Sequence, residues 1–506
     1  MKLIGSIFGE VKPTKFEIAL STTEVERGTY VKVYHEQYGW VLARIYDLRR
    51  FINQNSEEVM IASARPVGYP HEQQILMPRM PFKPDQKVYL ADQEIIMQVI
   101  GIKSKKEGNL YLGTLEGHNL PVYLNLKKTI GKHVAVIAKT GAGKSYAVAV
   151  LIEELLKQKF PVVIIDPHGE YSSLKYENDD YDTMLKFNVS PHSYENQIQE
   201  YAPNIIVNAD AKKLTLKPKF SLEELIRTMP MQLNDKQKGI LYDALKRLEG
   251  RDYTLQDLIN VVHLDSSSAK WKIINGLENL RNSGVFDGLP ISNGELVQYG
   301  KASIINLKGC EQEIQELIVG KIARDLFNAK KLAELPDFFF LVEEAHNFCP
   351  EKGFGDALSS NILRTIASEG RKFGFYLGVV SQRPARIDKN VLSQCNTQII
   401  LKVTNPNDLK AIAQSIEGFT SGMENDIKDL AIGQALIVGE CVEQPIVVNI
   451  RVRETKHIAK ALTEEIKKEK QNSLVAKIKP IFLKDKVKES KKGIFRRIKN
   501  FFIEEV

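Results

Sequence analysis

The stretch from Val134 to Ser145 combines residue types and a spacing suited to binding phosphate. It reads VAVIAKTGAGKS, in which an apolar run typical of a buried strand passes into a loop with two glycines, Gly141 and Gly143, and then into a helical pattern. In this order, successive backbone N–H groups and a helix N-terminus converge on a phosphate. Lys144 is then placed to reach the β- and γ-phosphates, and the Ser145 hydroxyl to bind Mg²⁺. The sequence therefore predicts a site for ATP and Mg²⁺.

This loop departs from the pattern G-x-x-x-x-G-K-[ST] only at its first position, where Ala138 stands. A small residue there should preserve the turn. A glycine-rich turn that binds nothing is the alternative, but the strand before the loop and the helix after it favour a phosphate site. The predicted nucleotide-binding residues are Lys139, Thr140, Gly141, Ala142, Gly143, Lys144, Ser145 and Tyr146.

A second chemical signal is a pair of acids at the end of an apolar strand. In PDFFFLVEEAHNF, the fully apolar run Phe338 to Val342 is followed directly by Glu343 and Glu344. In P-loop NTPases one such acid holds Mg²⁺ and another residue positions the attacking water. We assign Glu343 to the metal and Glu344 to the water.

Polar residues also follow the strand Val162 to Ile165, in the segment DPHGEY. Groups at the carboxyl ends of parallel strands lie at the crevice where doubly wound sheets bind ligands. We therefore expect Asp166, His168 and Glu170 near the nucleotide, with His168 favoured as a turn residue.

Two later segments contain candidates for contacts to the γ-phosphate. Arg371, in EGRKFG, lies at the end of a predicted helix over residues 357–374, where it is either a cation that complements the helix dipole or an arginine finger for a neighbouring subunit. Gln382 follows the strand FYLGVVS and is a candidate γ-phosphate sensor, with Arg383 beside it as a second possible finger.

The order of patterns along the chain predicts an α/β protein with a small β-domain, a barrel or a sandwich, at its start and a helical insertion. Short strands with turn signals dominate residues 1–110, and strands and helices alternate in residues 111–210 and 301–455. Helices fill residues 211–300, and residues 456–506 are helical and basic. We expect strands at Phe16 to Leu20 and Glu94 to Ile102, and helix caps at Ser221 and Thr254. The predicted boundaries are 1–110, 111–210, 211–300, 301–455 and 456–506.

Composition is that of an ordinary soluble protein, with 43% hydrophobic and 26% charged residues in 506. No run of 18 apolar residues occurs, so we expect a cytoplasmic protein. The four cysteines are far apart without a C-x-x-C pair, which indicates free thiols rather than a zinc or redox motif.

Positive charge is concentrated at the C-terminal end. The whole chain has a net charge of +7, whereas residues 467–506 contain 13 Lys/Arg and five Asp/Glu, a net +8. Such a tail suits either a polyanionic partner or a solvated helix surface. Its end, GIFRRIKNFF, can form an apolar stripe that docks on a neighbouring domain or lies on an anionic membrane, and membrane contact is the less favoured.

Four motifs in one order, AKTGAGKS, IIDPHGEY, FFLVEEAHNF and EGRKFG running into SQRPARIDKNVLSQCNTQIILK, resemble the HerA family of hexameric DNA translocases. The resemblance implies a RecA-like ATPase core of the FtsK/HerA type, with an N-terminal HAS-barrel and a helical insertion. It also implies a homo-hexameric ring around double-stranded DNA and a NurA-type partner nuclease in DNA end resection.

By position, the family resemblance implies a trans-acting role for Arg371, a sensor role for Gln382, and metal and water roles for Glu343 and Glu344. An expected basic contact before the phosphate loop stays open, because Lys132 and His133 stand there. Two alternatives to the translocase also stay open. One is a P-loop ATPase that powers conjugation or secretion at a membrane surface, and the other is a nucleotide-binding switch without turnover.

Overall fold

The first part of the chain forms a closed β-barrel. The computed structural model describes residues 1–52, 58–72, 74–229 and 232–457. The first elements are the strands β1 (Leu3–Lys12), β2 (Lys15–Leu20), β3 (Tyr30–His35), β4 (Gly39–Ile52), β5 (Glu58–His71), β6 (Gln74–Leu76) and β7 (Lys87–Leu90), followed by the helix α1 (Gln93–Ile100).

Six of these strands pair in an antiparallel ring, β1-β2-β5-β4-β3-β7, which closes through the pairing of β1 with β7. Register shifts between β4 and β5 let these two long strands bend around the ring. Alternate residues, such as Ile7, Ile18 and Val33, point inward and fill the barrel. The predicted small β-domain is therefore a barrel.

One predicted strand in this region is wrong. Glu94 to Ile102 forms the helix α1 instead, because Asp92 caps its start by accepting a hydrogen bond from the Ile95 amide, and Gly101 ends it with a φ of +82°.

The rest of the described chain builds one large sheet covered by helices. Its elements before the helical insertion are β8 (Asn109–Leu115), β9 (Pro121–Asn125), α2 (Leu126–Ile130), β10 (Val134–Ile137), α3 (Lys144–Lys157), β11 (Val162–Asp166), α4 (Tyr181–Phe187), β12 (Ile198–Ala202) and β13 (Lys212–Lys213).

A group of helices interrupts the strands, as predicted. These are α5 (Leu222–Thr228), α6 (Asp235–Leu248), α7 (Leu255–His263), α8 (Lys270–Asn282) and α9 (Asn293–Leu296). Ser221 and Thr254 form the expected caps, each in a capping box with the acid three residues on. The apolar faces of α5 to α8 join the main core through residues such as Leu225 and Leu258.

The sheet then continues to the end of the described chain. Its remaining elements are β14 (Ala302–Asn306), α10 (Gln312–Lys331), β15 (Phe338–Val342), α11 (Ser360–Glu369), β16 (Phe375–Ser381), α12 (Lys389–Gln394), β17 (Thr397–Ile400), α13 (Pro406–Ser415), α14 (Ser421–Asp429), β18 (Gln434–Val438) and β19 (Ile446–Ile450).

The twelve strands lie in the order β13-β12-β14-β11-β15-β16-β10-β17-β18-β19-β8-β9. The first eight are parallel and the last four are antiparallel. The central strands are buried on both faces, which explains their continuous apolar runs. The strand β16 separates the phosphate-loop strand β10 from the acidic strand β15, so the carboxyl ends of all three meet at one edge.

The segment after β19 is held against the phosphate-loop helix α3 by buried charges. Arg451 is fully buried, and its guanidinium donates to Glu153 at 2.9 Å and to Glu154 at 2.8 Å. Burying these charges is tolerable because each is paired. The predicted basic helix of the C-terminal extension lies outside the described residues, from 458 onward. Within the described residues, no helix has both the length and the apolar character needed to cross a bilayer.

Candidate active site

The loop between β10 and α3 has the backbone conformation that a phosphate site requires. Gly141 and Gly143 have φ values of +78° and +97°, a region that side chains with a Cβ rarely adopt. The first hydrogen bond into α3 runs from the Ala147 amide to the Gly143 carbonyl at 3.0 Å. The amides of the preceding turn therefore face away from the helix body and can donate to an anion.

Both neighbouring strands anchor this loop at its start. The Ala138 amide donates to the Ser381 carbonyl at the end of β16, and the Lys139 amide donates to the Lys402 carbonyl beyond β17. Ala138, which replaces the usual glycine, is fully buried and does not have a positive φ. An alanine is therefore compatible with the turn.

Lys144 lies between the two predicted acids. Its Nζ is 2.5 Å from Glu343 Oε1 and 2.6 Å from Glu344 Oε1. Both carboxylates are almost completely buried, at 1% and 7% side-chain exposure. Burial alone would lower the pKa of Lys144, but the two carboxylates outweigh it and raise this pKa above its ordinary value. The ammonium group is thus charged and held where phosphates would arrive.

Glu343 is the more deeply buried acid, and a tyrosine fixes it from the other side. The Tyr171 hydroxyl donates to Glu343 Oε2 at 2.7 Å. Burial raises the pKa of Glu343 to about 7, although Lys144 and Tyr171 both favour the ionised form. A proton or a cation at this carboxylate is therefore favoured over an isolated charge.

The segment DPHGEY forms a tight turn that places Tyr171. The carboxylate of Asp166 accepts hydrogen bonds from the amides of His168 at 3.2 Å, Gly169 at 2.8 Å and Tyr171 at 3.0 Å. Burial raises the pKa of Asp166 to about 6. The role of Asp166 in this structure is therefore to organise the turn, and His168 is an exposed turn residue, as expected.

Gln382 lies directly over the phosphate loop. Its side-chain oxygen accepts a hydrogen bond from the Thr140 hydroxyl. The neighbouring Arg383 is exposed, and its amide donates to the Ser381 hydroxyl at 2.9 Å. The carboxyl end of β16 thus places Gln382 at the loop itself and the Arg383 side chain at the surface of the site.

Arg371 lies at the amino ends of the sheet strands, whereas the phosphate loop lies at their carboxyl ends. It is exposed in a short turn just before β16, close to His133, which precedes β10. A seven-residue strand is about 20 Å long, which far exceeds the reach of an arginine side chain. The geometry therefore excludes a role for Arg371 at the phosphate loop of its own chain.

The arrangement suits a magnesium nucleotide. Oε2 of Glu344 and Oε2 of Glu170 are buried oxygens that accept no hydrogen bond within the described residues. Among the same residues, no cluster of three or more His, Cys, Asp or Glu side chains could hold a metal ion alone. Ser145 and Glu343 can supply two ligands, and Mg²⁺ commonly takes the others from phosphate and water.

Comparison with known proteins agrees with this geometry. The family model described as "Helicase HerA, central domain" matches residues 110–326. A probable DNA double-strand break repair helicase HerA from Methanocaldococcus jannaschii is 30% identical over 455 residues, which cover 78% of this chain and 85% of the relative. The chain belongs to the HerA family.

Other HerA proteins match over similar lengths. The DNA double-strand break repair helicase HerA of Pyrococcus furiosus is 26% identical over 521 residues, covering 89% of this chain and 92% of that protein. Among solved structures, VirB4 of Thermoanaerobacter pseudethanolicus matches with a TM-score of 0.49 and 16% identity, covering 69% of this chain and 97% of that one.

In this HerA chain, the fold brings most of the predicted residues to the carboxyl ends of the central strands and leaves Arg371 at their amino ends. The side chain of Tyr146 points toward the segment after β19, where its hydroxyl accepts a hydrogen bond from the Arg453 amide. Two residues at the site were not predicted, Tyr171 and His346. Both stand inside motifs quoted above, DPHGEY and EEAHNF, so a search of those motifs for hydrogen-bond donors near the acids could have found them.

Proposed function

We propose that this chain is an ATP-hydrolysing translocase or helicase that acts on double-stranded DNA as a homo-hexameric ring. The observation that carries the proposal is the position of Lys144 between Glu343 and Glu344, beside a loop whose conformation suits phosphate. Family membership adds the DNA substrate, because the relatives described above include a DNA double-strand break repair helicase, HerA of Pyrococcus furiosus.

The chemistry follows from the charges at the site. ATP brings negative phosphates to the loop, and Lys144 exchanges its two carboxylates for the β- and γ-phosphates. This exchange frees Glu344 to accept a proton from a water molecule as its oxygen attacks the γ-phosphorus. The bond from that phosphorus to the bridging oxygen of ADP breaks, and the proton passes on to the released phosphate.

The remaining residues orient the reactants. Gln382, which accepts a hydrogen bond from Thr140 in the phosphate loop, is placed to bind the γ-phosphate. Ser145 and Glu343 would hold Mg²⁺, which neutralises charge on the phosphates. Arg383, exposed beside Gln382, is a second candidate contact for developing charge.

A ring supplies what a single chain lacks. Since Arg371 cannot reach the phosphate loop of its own chain, it acts on the loop of a neighbouring subunit. The interface then joins the amino ends of the strands in one subunit to the carboxyl ends of the strands in the next. Such a head-to-tail interface closes into a ring when the rotation allows. A NurA-type nuclease and a role in DNA end resection complete the proposal on the strength of family resemblance.

The test compares ATP turnover of the wild type, Arg371→Ala and Lys372→Ala, each with and without linear double-stranded DNA, together with mass by light scattering. Lys372 is the matched control, because it is an equally exposed cation at the adjacent position. We expect DNA to stimulate a multimer of the wild type and of Lys372→Ala, and Arg371→Ala to lose turnover as an intact multimer.

A turnover rate that ignores DNA would contradict the translocase and favour the conjugation or secretion ATPase. Equal rates for Arg371→Ala and the wild type would make Arg371 a cation at a helix end. A wild type that binds ATP without turnover would favour the nucleotide switch.

A further inference from the structure

His346 lies between Glu344 and the end of β16, and neither the predicted roles nor the proposed mechanism uses it. Its Nδ1 is 3.3 Å from Glu344 Oε2 and 3.0 Å from Ser381 Oγ. The side chain is 10% exposed. With its proton on Nδ1 the imidazole can donate to either of these oxygens, because an ionised carboxylate and a serine hydroxyl both accept hydrogen bonds.

Two observations indicate that the Glu344 carboxylate needs a hydrogen-bond donor to fix its orientation. Its Oε2 is buried and accepts no well-formed hydrogen bond within the described residues, whereas its Oε1 is paired with Lys144. Its backbone has a φ of +49°, which is uncommon for a glutamate and aims the side chain in a direction that the strand alone would not give. When Lys144 moves to the phosphates, Glu344 Oε1 loses this ion pair.

Ser381 connects the same imidazole to the sensor segment. Its hydroxyl accepts a hydrogen bond from the Arg383 amide, and the residue between them, Gln382, contacts Thr140 in the phosphate loop. His346 Nδ1 therefore lies between the end of β16, which it contacts through Ser381, and the carboxylate of Glu344.

We propose that His346 is a positioning residue that orients the carboxylate of Glu344 toward the attacking water through its Nδ1–H group. In the structure Nδ1 is hydrogen-bonded to the Ser381 hydroxyl and lies 3.3 Å from Glu344 Oε2. After Lys144 has moved to the phosphates, it binds Glu344 Oε2 and fixes the carboxylate. The inference rests on the proposed function, since it concerns ATP hydrolysis at this site.

Three substitutions separate positioning from simple packing. In His346→Asn the side-chain amide nitrogen takes the position of Nδ1. In His346→Gln the amide nitrogen takes the position of Nε2, and His346→Ala has no nitrogen at either position. We expect His346→Ala and His346→Gln to lower kcat about tenfold or more while KM for ATP changes less than about threefold, and His346→Asn to stay within about threefold of the wild-type kcat. Thermal unfolding of each variant checks that it folds.

A double-mutant cycle with Glu344→Gln tests whether His346 acts through Glu344. Single-turnover rates with enzyme in excess measure the slow variants. We expect His346→Ala to have little further effect once Glu344 is replaced, because the positioned group is gone. Losses that multiply in the double variant would overturn the proposal, and so would a wild-type kcat for His346→Ala or rescue by Gln rather than Asn.

The same experiment separates the two hypotheses. A wild type without ATP turnover contradicts the proposed function itself. An active wild type with an inactive Glu344→Gln variant and an unaffected His346→Ala variant supports the proposed function and contradicts only the role of His346.

Discussion

Lys144 and the two glutamates form a buried group of three charges that the nucleotide must rearrange. In the structure the two carboxylates pair with the ammonium group and stabilise its charge. Phosphates offer Lys144 an alternative partner, so binding and the release of Glu344 are one event. In the proposed mechanism, this coupling makes the carboxylate of Glu344 available only when ATP is bound.

Replacing Glu344 should separate binding from hydrolysis. Glu344→Gln keeps the shape of the side chain but removes its ability to accept a proton, so we expect kcat to fall by about 100-fold or more with ATP affinity changed only a few-fold. Steady-state turnover and titration with a fluorescent ATP analogue measure the two quantities. Glu170→Gln is the control, because Glu170 also has a buried carboxylate oxygen that accepts no hydrogen bond within the described residues. Wild-type turnover in Glu344→Gln would transfer the catalytic role to Glu170.

Glu343 should make the nucleotide-free protein less stable as the pH rises toward neutrality. Its pKa of about 7 in the folded chain exceeds the ordinary value of 4.5, so between these pH values the folded state holds a proton that the unfolded state has lost. The free energy of unfolding therefore falls with rising pH in this window. Glu343→Gln cannot ionise, so its stability relative to the wild type should rise toward pH 7, by up to roughly 1.4 kcal/mol per pH unit. Urea unfolding at pH 5, 6 and 7 measures this, and parallel curves would contradict it.

The structure brings together residues that separate local patterns indicate, whereas those patterns do not give the arrangement of these residues. The phosphate loop and the acids follow from local patterns, and the structure brings Lys144, Glu343 and Glu344 together. The contacts of Tyr171 and His346 were missed because each joins segments that are distant in the chain, and the sequence does not give the position of β16 between β10 and β15.

At the scale of elements, strong local signals were read correctly and short apolar runs were not. The caps Ser221 and Thr254 were predicted because a cap is a local device of a few residues. The helix α1 was predicted as a strand because a short apolar run fits either element. Only Asp92 and Gly101 at its ends, with buried residues on one helical face, decide in favour of the helix.

The helix α3 depends on a buried ion cluster at its far end, and this dependence can be measured. Arg451→Met would leave Glu153 and Glu154 buried without their main cation, so we expect the free energy of unfolding to fall by about 3 to 5 kcal/mol. The control is Arg27→Met, since Arg27 is 44% exposed and pairs with Asp426 and Asp429. We expect a loss within about 1 kcal/mol there. Chemical denaturation measures both, and equal losses would contradict the special role of the buried cluster.

At the scale of the whole molecule, the phosphate loop and the proposed arginine finger lie at opposite ends of the strands of one sheet. The phosphate loop with its acids lies at the carboxyl edge, and Arg371 lies at the amino edge. The sequence suggested a finger at Arg371 through family resemblance, but the opposite placement of the two halves required the strand order. Within the described residues, the barrel joins the core through ion pairs such as Arg44 with Glu116 and Asp426.

If Arg371 completes the site of a neighbouring subunit, two inactive variants should restore each other. Lys144→Ala removes the loop cation but keeps Arg371, and Arg371→Ala does the reverse. In a mixed ring, an interface is complete where the loop comes from an Arg371→Ala subunit and the arginine from a Lys144→Ala subunit. Equal mixing at random makes about one quarter of the interfaces complete.

We therefore expect the mixture, after subunit exchange, to regain up to about one quarter of the wild-type ATP turnover, whereas each variant alone stays inactive. The control is a mixture of Lys144→Ala with the double variant Lys144→Ala/Arg371→Ala, which contains no intact loop and should remain inactive. Light scattering checks that the mixed multimers form. Absence of recovery in multimers that do exchange subunits would contradict a site shared between subunits, because both intact halves are then present at the same interfaces without producing turnover.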